Sequence, residues 1–156
     1  MNLTCFCSLF FAAMLALTAC KKEKVEATEN FDCVNAQADN APTLNEANAR
    51  IVGNWQLKKM AGMRMPPVEI PNIRLVFGAN KTVEVYQNNQ LVHSDSYQLK
   101  EEKQATARWI AISTAKQTFQ NGDYSFLRGT VRVCEAELLI DNGMAFDAPA
   151  YFFVKQ

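Results

Sequence analysis

Between Ile51 and Gln156 the chain never holds apolar residues at helical spacing for long; short β-rich runs alternate with turn residues instead. This grammar predicts strands near 52–60, 72–78, 81–87, 91–100, 106–114, 123–131, 132–141 and 148–155. Ile73, Leu75 and Phe77 share one face of the second run, and Val83 and Val85 one face of the third. In the fifth, Ile110 and Ile112 oppose Trp109 and Ala111. Gly78-Ala79-Asn80-Lys81, Asn88-Asn89, Asn121-Gly122-Asp123 and Asp141-Asn142-Gly143 supply turn residues that tolerate positive φ. Eight short strands joined as a meander predict an all-β chain, an eight-stranded antiparallel up-and-down barrel. Closure removes the exposed sheet edges that a monomer outside the cytoplasm would otherwise carry.

Two segments depart from that grammar. Thr43-Leu44-Asn45-Glu46 has the spacing of a capping box, so a short N-terminal helix is expected through about Arg50. Residues 61–71 carry three prolines, Pro66, Pro67 and Pro71, which exclude a central strand, together with apolar residues able to pack. That loop is expected to act as a lid.

Residues 1–19 contain no charged side chain and a compact apolar stretch from Leu9 to Leu17, shorter than the roughly 20 residues of a membrane span. They end in Leu17-Thr18-Ala19-Cys20, followed at once by Lys21 and Lys22. This resembles the lipobox of bacterial lipoproteins, in which the signal is removed before the cysteine and the cysteine is acylated. The resemblance implies residues 1–19 as signal peptide, Cys20 as the lipidation site and membrane attachment through two or three acyl chains. An aspartate after the cysteine retains such proteins in the inner membrane of enteric bacteria; Lys21 is compatible with the outer membrane, on either face.

With Cys5 and Cys7 removed and Cys20 acylated, Cys33 and Cys134 remain. An even pair of thiols in an oxidising compartment argues for a disulfide between them; two buried free cysteines is the other reading. Residues 20–42 are Lys-, Glu-, Asn- and Ala-rich, with Val25, Phe31 and Val34 their large apolar residues. They read as a flexible tether ahead of the domain at 43–156.

The 16 basic and 16 acidic residues balance, which leaves no electrostatic footprint for nucleic acid. His93 is the sole histidine. On a strand it shares a face with Asp95 while Ser94 points away, so H-S-D is not a nucleophile–base–orienter set. No catalytic constellation is found, and neither enzymatic activity nor a cofactor is expected. Met60, Met63 and Met65 offer thioethers of the kind that suit Cu(I), but without neighbouring histidine they read as loop packing, and no metal site is expected.

Gly53-Asn54-Trp55, after the short helix and opening the first strand, resembles the G-x-W signature of lipocalins. Leu75, Phe77, Val83, Val85, Tyr86, Tyr97 and the aromatic run Ala150–Val154 follow in the order of lipocalin-like domains of bacterial lipoproteins. The resemblance implies that Trp55, entered through Gly53, plugs the closed end beneath a cation, for which Arg128 and Arg132 are candidates and Lys155 the residue on the last strand. It implies a non-enzymatic binder of a small apolar or amphipathic ligand under the 61–71 lid. Aromatic residues in so compact a barrel also suit a filled core, and then the chain is an interaction module displayed for a protein or glycan partner.

Overall fold

The computed structural model describes residues 30–37, 41–62, 69–116 and 125–156; Cys20, Met63, Met65, Tyr124 and most of the 61–71 loop lie outside them. Helices α1 (Asp32–Ala36) and α2 (Leu44–Arg50) precede strands β1 (Gly53–Ala61), β2 (Ile73–Phe77), β3 (Thr82–Gln87), β4 (Gln90–Gln104), β5 (Ala107–Thr114), β6 (Gly129–Val133), β7 (Glu137–Asp141) and β8 (Ala150–Lys155). Each strand pairs antiparallel with the next, and β8 returns to β1 with Trp55 opposite Lys155, closing the barrel. The expected eight-stranded up-and-down barrel is the fold.

Alternation sets the interior. Trp55, Leu57, Leu75, Phe77, Val83, Val85, Tyr97, Leu99, Ile110, Ile112, Val131, Val133, Leu138, Ile140, Tyr151 and Phe153 point inward and join one apolar cluster. These side chains are between 0% and 6% exposed. Apolar side chains therefore line the barrel interior as one contiguous cluster.

The barrel has two unlike poles. At the floor, α2 lies across the opening and contributes Ala47 and Ile51 to the core. Its N-terminus is the expected capping box: Thr43 Oγ1 accepts from the Glu46 amide at 3.2 Å, and Glu46 Oε2 accepts from the Thr43 amide at 2.8 Å. At the mouth, the connection from β5 to β6 turns inward as a 3-10 turn, Ser125–Leu127, and buries Phe126 and Leu127. The Phe126 ring lies 5.6 Å from Tyr151 and 6.5 Å from Phe153.

That turn corrects the sixth and seventh strands. The expected run 123–131 begins only at Gly129, because Phe126 and Leu127 are used as core residues rather than as strand. Gly129 has φ +114 and sits so close to the Asp141 carbonyl that a Cβ would clash. The expected break at 131/132 falls instead at Cys134–Ala136, where the Cys134 amide donates to Glu137 O at 2.8 Å. β4 is longer than the expected 91–100, and its hairpin to β5 turns through Ala105, at φ 52.

Residues 30–37 are packed on the barrel. Asp32–Ala36 is helical, and Phe31 and Val34 are buried against Leu139, Ala150, Phe152 and Val154 on the outer face of β7 and β8. Each such side chain contributes about 1.5–3 kcal/mol when fully buried, enough to offset part of the ordering cost. The outer cover explains why β7 and β8 are apolar on both faces while the other strands alternate.

Candidate functional site

The floor plug is built from four backbone and side-chain groups. Helix α2 ends with carbonyls that have no partner within the helix. Trp55 Nε1 donates to Ile51 O at 2.7 Å, and Lys155 Nζ donates to Arg50 O at 3.2 Å while lying 5.1 Å from the centre of the Trp55 ring. Gly53, at φ +137, makes room: a Cβ there would stand 2.8 Å from Lys155 Cε. The G-x-W spelling thus serves as a helix C-terminal cap, with an indole and an ammonium in place of a solvent shell.

The cation over Trp55 is Lys155. Arg132 does not reach it, since it lies opposite Leu139 of the outer cluster and so faces away from the interior. Arg128 is exposed at the mouth end of β6, at the opposite pole. The register Trp55↔Lys155 puts the lysine across the sheet from the tryptophan, which strand grammar alone could not count out across the β1 bulge.

The Cys33–Cys134 pair is a disulfide, with Cα atoms 6.4 Å apart. It ties α1 to the turn after β6. Glu137 Oε2 accepts from the Val34 amide at 3.1 Å, and Gln37 Nε2 donates to Val133 O, also at 3.1 Å. Cys33, Cys134 and Glu137 converge closely enough to suggest a metal trio. The bonded sulfurs offer no thiolate, so the group reads as a covalent staple.

From His93 to Asp95 the inward face of β4 is polar. Asp95 sits opposite Val83 and His93 opposite Val85, both inward residues, so the two side chains share the interior face as expected, while Ser94 is exposed on the other. His93 Nε2 is 3.9 Å from Asp95 Oδ2. The carboxylate is already occupied: Oδ1 accepts from the Ser96 amide at 2.7 Å and Oδ2 from the Lys116 amide at 2.8 Å. Asp95 therefore pins the start of the β5–β6 connection to β4. Tyr97 follows on the same face, with its ring edge-on to Phe77 at 5.0 Å and its buried hydroxyl without a hydrogen-bond partner. Burial raises its pKa above the ordinary 10.0.

Met60 packs partly buried against the core. The mouth also carries what the strand pattern did not single out. Ile70, Leu91, Val92, Met144 and Phe146 are the exposed large hydrophobic residues among those described, with Phe146 at 89%. All lie on connections or strand ends at this pole. A signal existed for Phe146, since it stands in Asp141–Ala150 between two strands rather than in one. Comparisons with protein-family models, curated proteins and solved structures give no match.

Proposed function

We propose that this chain is a non-enzymatic, lipocalin-like lipoprotein of the cell envelope, attached through acylated Cys20 in the outer membrane, and that it works as an interaction module from its mouth. The observation that carries the reading is the contrast between inward side chains packed as one buried apolar cluster and a mouth that exposes Phe146, Met144, Leu91, Val92 and Ile70. Leu17-Thr18-Ala19-Cys20 at the end of an uncharged apolar run supports the anchor. Closure of the sheet, which leaves no free edge, supports a monomer.

A second reading rests on Tyr97. Its buried hydroxyl lacks a partner, and a buried unsatisfied hydroxyl costs about 1–3 kcal/mol. A small amphipathic ligand that reaches the interior and supplies a polar atom to Tyr97 would remove that cost.

Intact and native mass spectrometry of the protein extracted from envelopes in mild detergent tests both. A chain beginning at Cys20 with added acyl mass, free of adducts, is the expected result. An unprocessed, unacylated chain would sink the anchor, and a stoichiometric small-molecule adduct would favour the second reading.

A further inference from the structure

We infer that the Cys33–Cys134 bond is a thiol–disulfide exchange site with a fixed direction: an external thiol enters at Cys33, Cys134 leaves, and Cys134 later recloses the bond. The site lies where α1 meets the turn after β6, away from the mouth, and is independent of the reading above.

The two cysteines are unequally accessible. Cys33 is exposed on α1, whereas Cys134 is 6% exposed and packs in the outer cluster with Val34, Leu139 and Val154. Exchange proceeds by attack of a thiolate on one sulfur of the bond, and access decides which sulfur is attacked. The entering thiol therefore meets Cys33, and Cys134 is the leaving group.

Two side chains act on that leaving group in opposite senses. Gln37 Nε2 donates to Cys134 Sγ at 3.1 Å, and a donor on the departing sulfur stabilises it as a thiolate. The Glu137 carboxylate lies within 4.8 Å of both sulfurs, and its like charge disfavours a thiolate there. A thiol of raised pKa gives the more nucleophilic thiolate. Gln37 thus eases opening, and Glu137 drives the sulfur back.

Reclosure is prepared because α1 is also held by contacts that do not run through the sulfurs. Phe31 and Val34 are buried on β7 and β8, the Val34 amide donates to Glu137 Oε2 at 3.1 Å, and Gln37 Nε2 donates to Val133 O at 3.1 Å. These contacts keep Cys33 opposite Cys134 when the bond opens.

The step balances without an outside oxidant. The thiolate of a monothiol attacks Cys33 Sγ, a new sulfur–sulfur bond forms there, and the old bond breaks with its electron pair on Cys134 Sγ, which takes a proton from water. In reclosure the Cys134 thiolate attacks Cys33 Sγ and expels the monothiol.

The test treats the full folded chain with 2-mercaptoethanol, quenches in acid, alkylates with N-ethylmaleimide and maps the peptides that carry Cys33 and Cys134 by mass spectrometry. Mercaptoethanol mass on Cys33 with maleimide on Cys134 is expected, and removing the thiol before the quench should restore the native bond. Gln37→Leu should slow opening severalfold, and Glu137→Gln should raise the share of adduct at a given thiol concentration. Adduct on Cys134, or equally on both, overturns the direction. A bond that opens only once urea unfolds the chain overturns the exchange site and leaves a purely structural staple. An adduct on Cys33 that persists after the thiol is removed overturns the resolving role of Cys134.

Discussion

The two poles of this barrel solve the same problem, an open end of a closed sheet, in opposite ways. At the floor, a capped helix is laid across the opening and its terminal carbonyls are taken up by Trp55 and Lys155, while charged pairs decorate the outside. At the mouth, an apolar turn folds in, Phe126 and Leu127 fill the space, and other apolar residues remain outside. The floor is closed by polar groups satisfying one another, a finished solvent-facing surface. The mouth is closed by packing over connections whose amides bond Asp95 and Asp141, and its outer hydrophobic residues have no cover among the described residues, which makes it the end where a partner surface is to be sought.

The largest effect that would break the comparison is at the floor. Trp55→Ala removes a fully buried ring and leaves the Ile51 carbonyl without its donor, so a loss of about 3–5 kcal/mol in urea unfolding is expected. A loss below about 1 kcal/mol would show that α2 does not depend on the plug.

The staple comes next. Cys33 and Cys134 are 101 residues apart, and the double variant Cys33→Ser/Cys134→Ser is expected to lose about 2–5 kcal/mol in the same assay. An unchanged midpoint would mean that the packing of Phe31 and Val34 holds α1 without covalent help.

The smallest effect concerns the barrel interior. Tyr97→Phe deletes a buried hydroxyl without a partner and is expected to raise stability by about 1 kcal/mol. The pH dependence has a defined sign. Burial raises the folded Tyr97 pKa above 10.0, so the neutral phenol favours the fold below that pH and the contribution is lost as pH rises past it. The parent should therefore lose stability in alkali more steeply than Tyr97→Phe. A destabilised Tyr97→Phe would show instead that the hydroxyl is bonded in solution, as the ligand reading requires.

Glu46 gives the floor its own pH signature. The Thr43 amide and hydroxyl hold its carboxyl below the ordinary value of 4.5. The folded pKa is depressed, so that contribution is present above the unfolded pKa and is lost as pH falls through the folded one.

Much of the barrel was legible because alternation is a local signal. Val83 and Val85, Ile110 and Ile112, and the capping box at Thr43 could be read from spacing and residue type, since each depends on neighbours a few positions away. The capping of α2 by Trp55 and Lys155 was only half legible. Gly53 and Trp55 stand in a short motif, but Lys155 is set by a register that includes a shift between Leu57 and Lys59. Phe126 escaped because its apolar environment fits a strand as well as a core-filling turn.

The amino-acid sequence by itself determined that the chain forms short alternating strands, that a capped helix precedes them, and that two cysteines are left to pair after Cys20. These follow from local backbone preference and side-chain chemistry. Tertiary structure alone decided that residues 31–37 pack outside β7 and β8, that Lys155 and not an arginine covers Trp55, and that the exposed hydrophobic residues gather at one pole. Each of these depends on strands distant in sequence meeting at one register around a closed sheet, and burial is a property of that meeting rather than of any single segment.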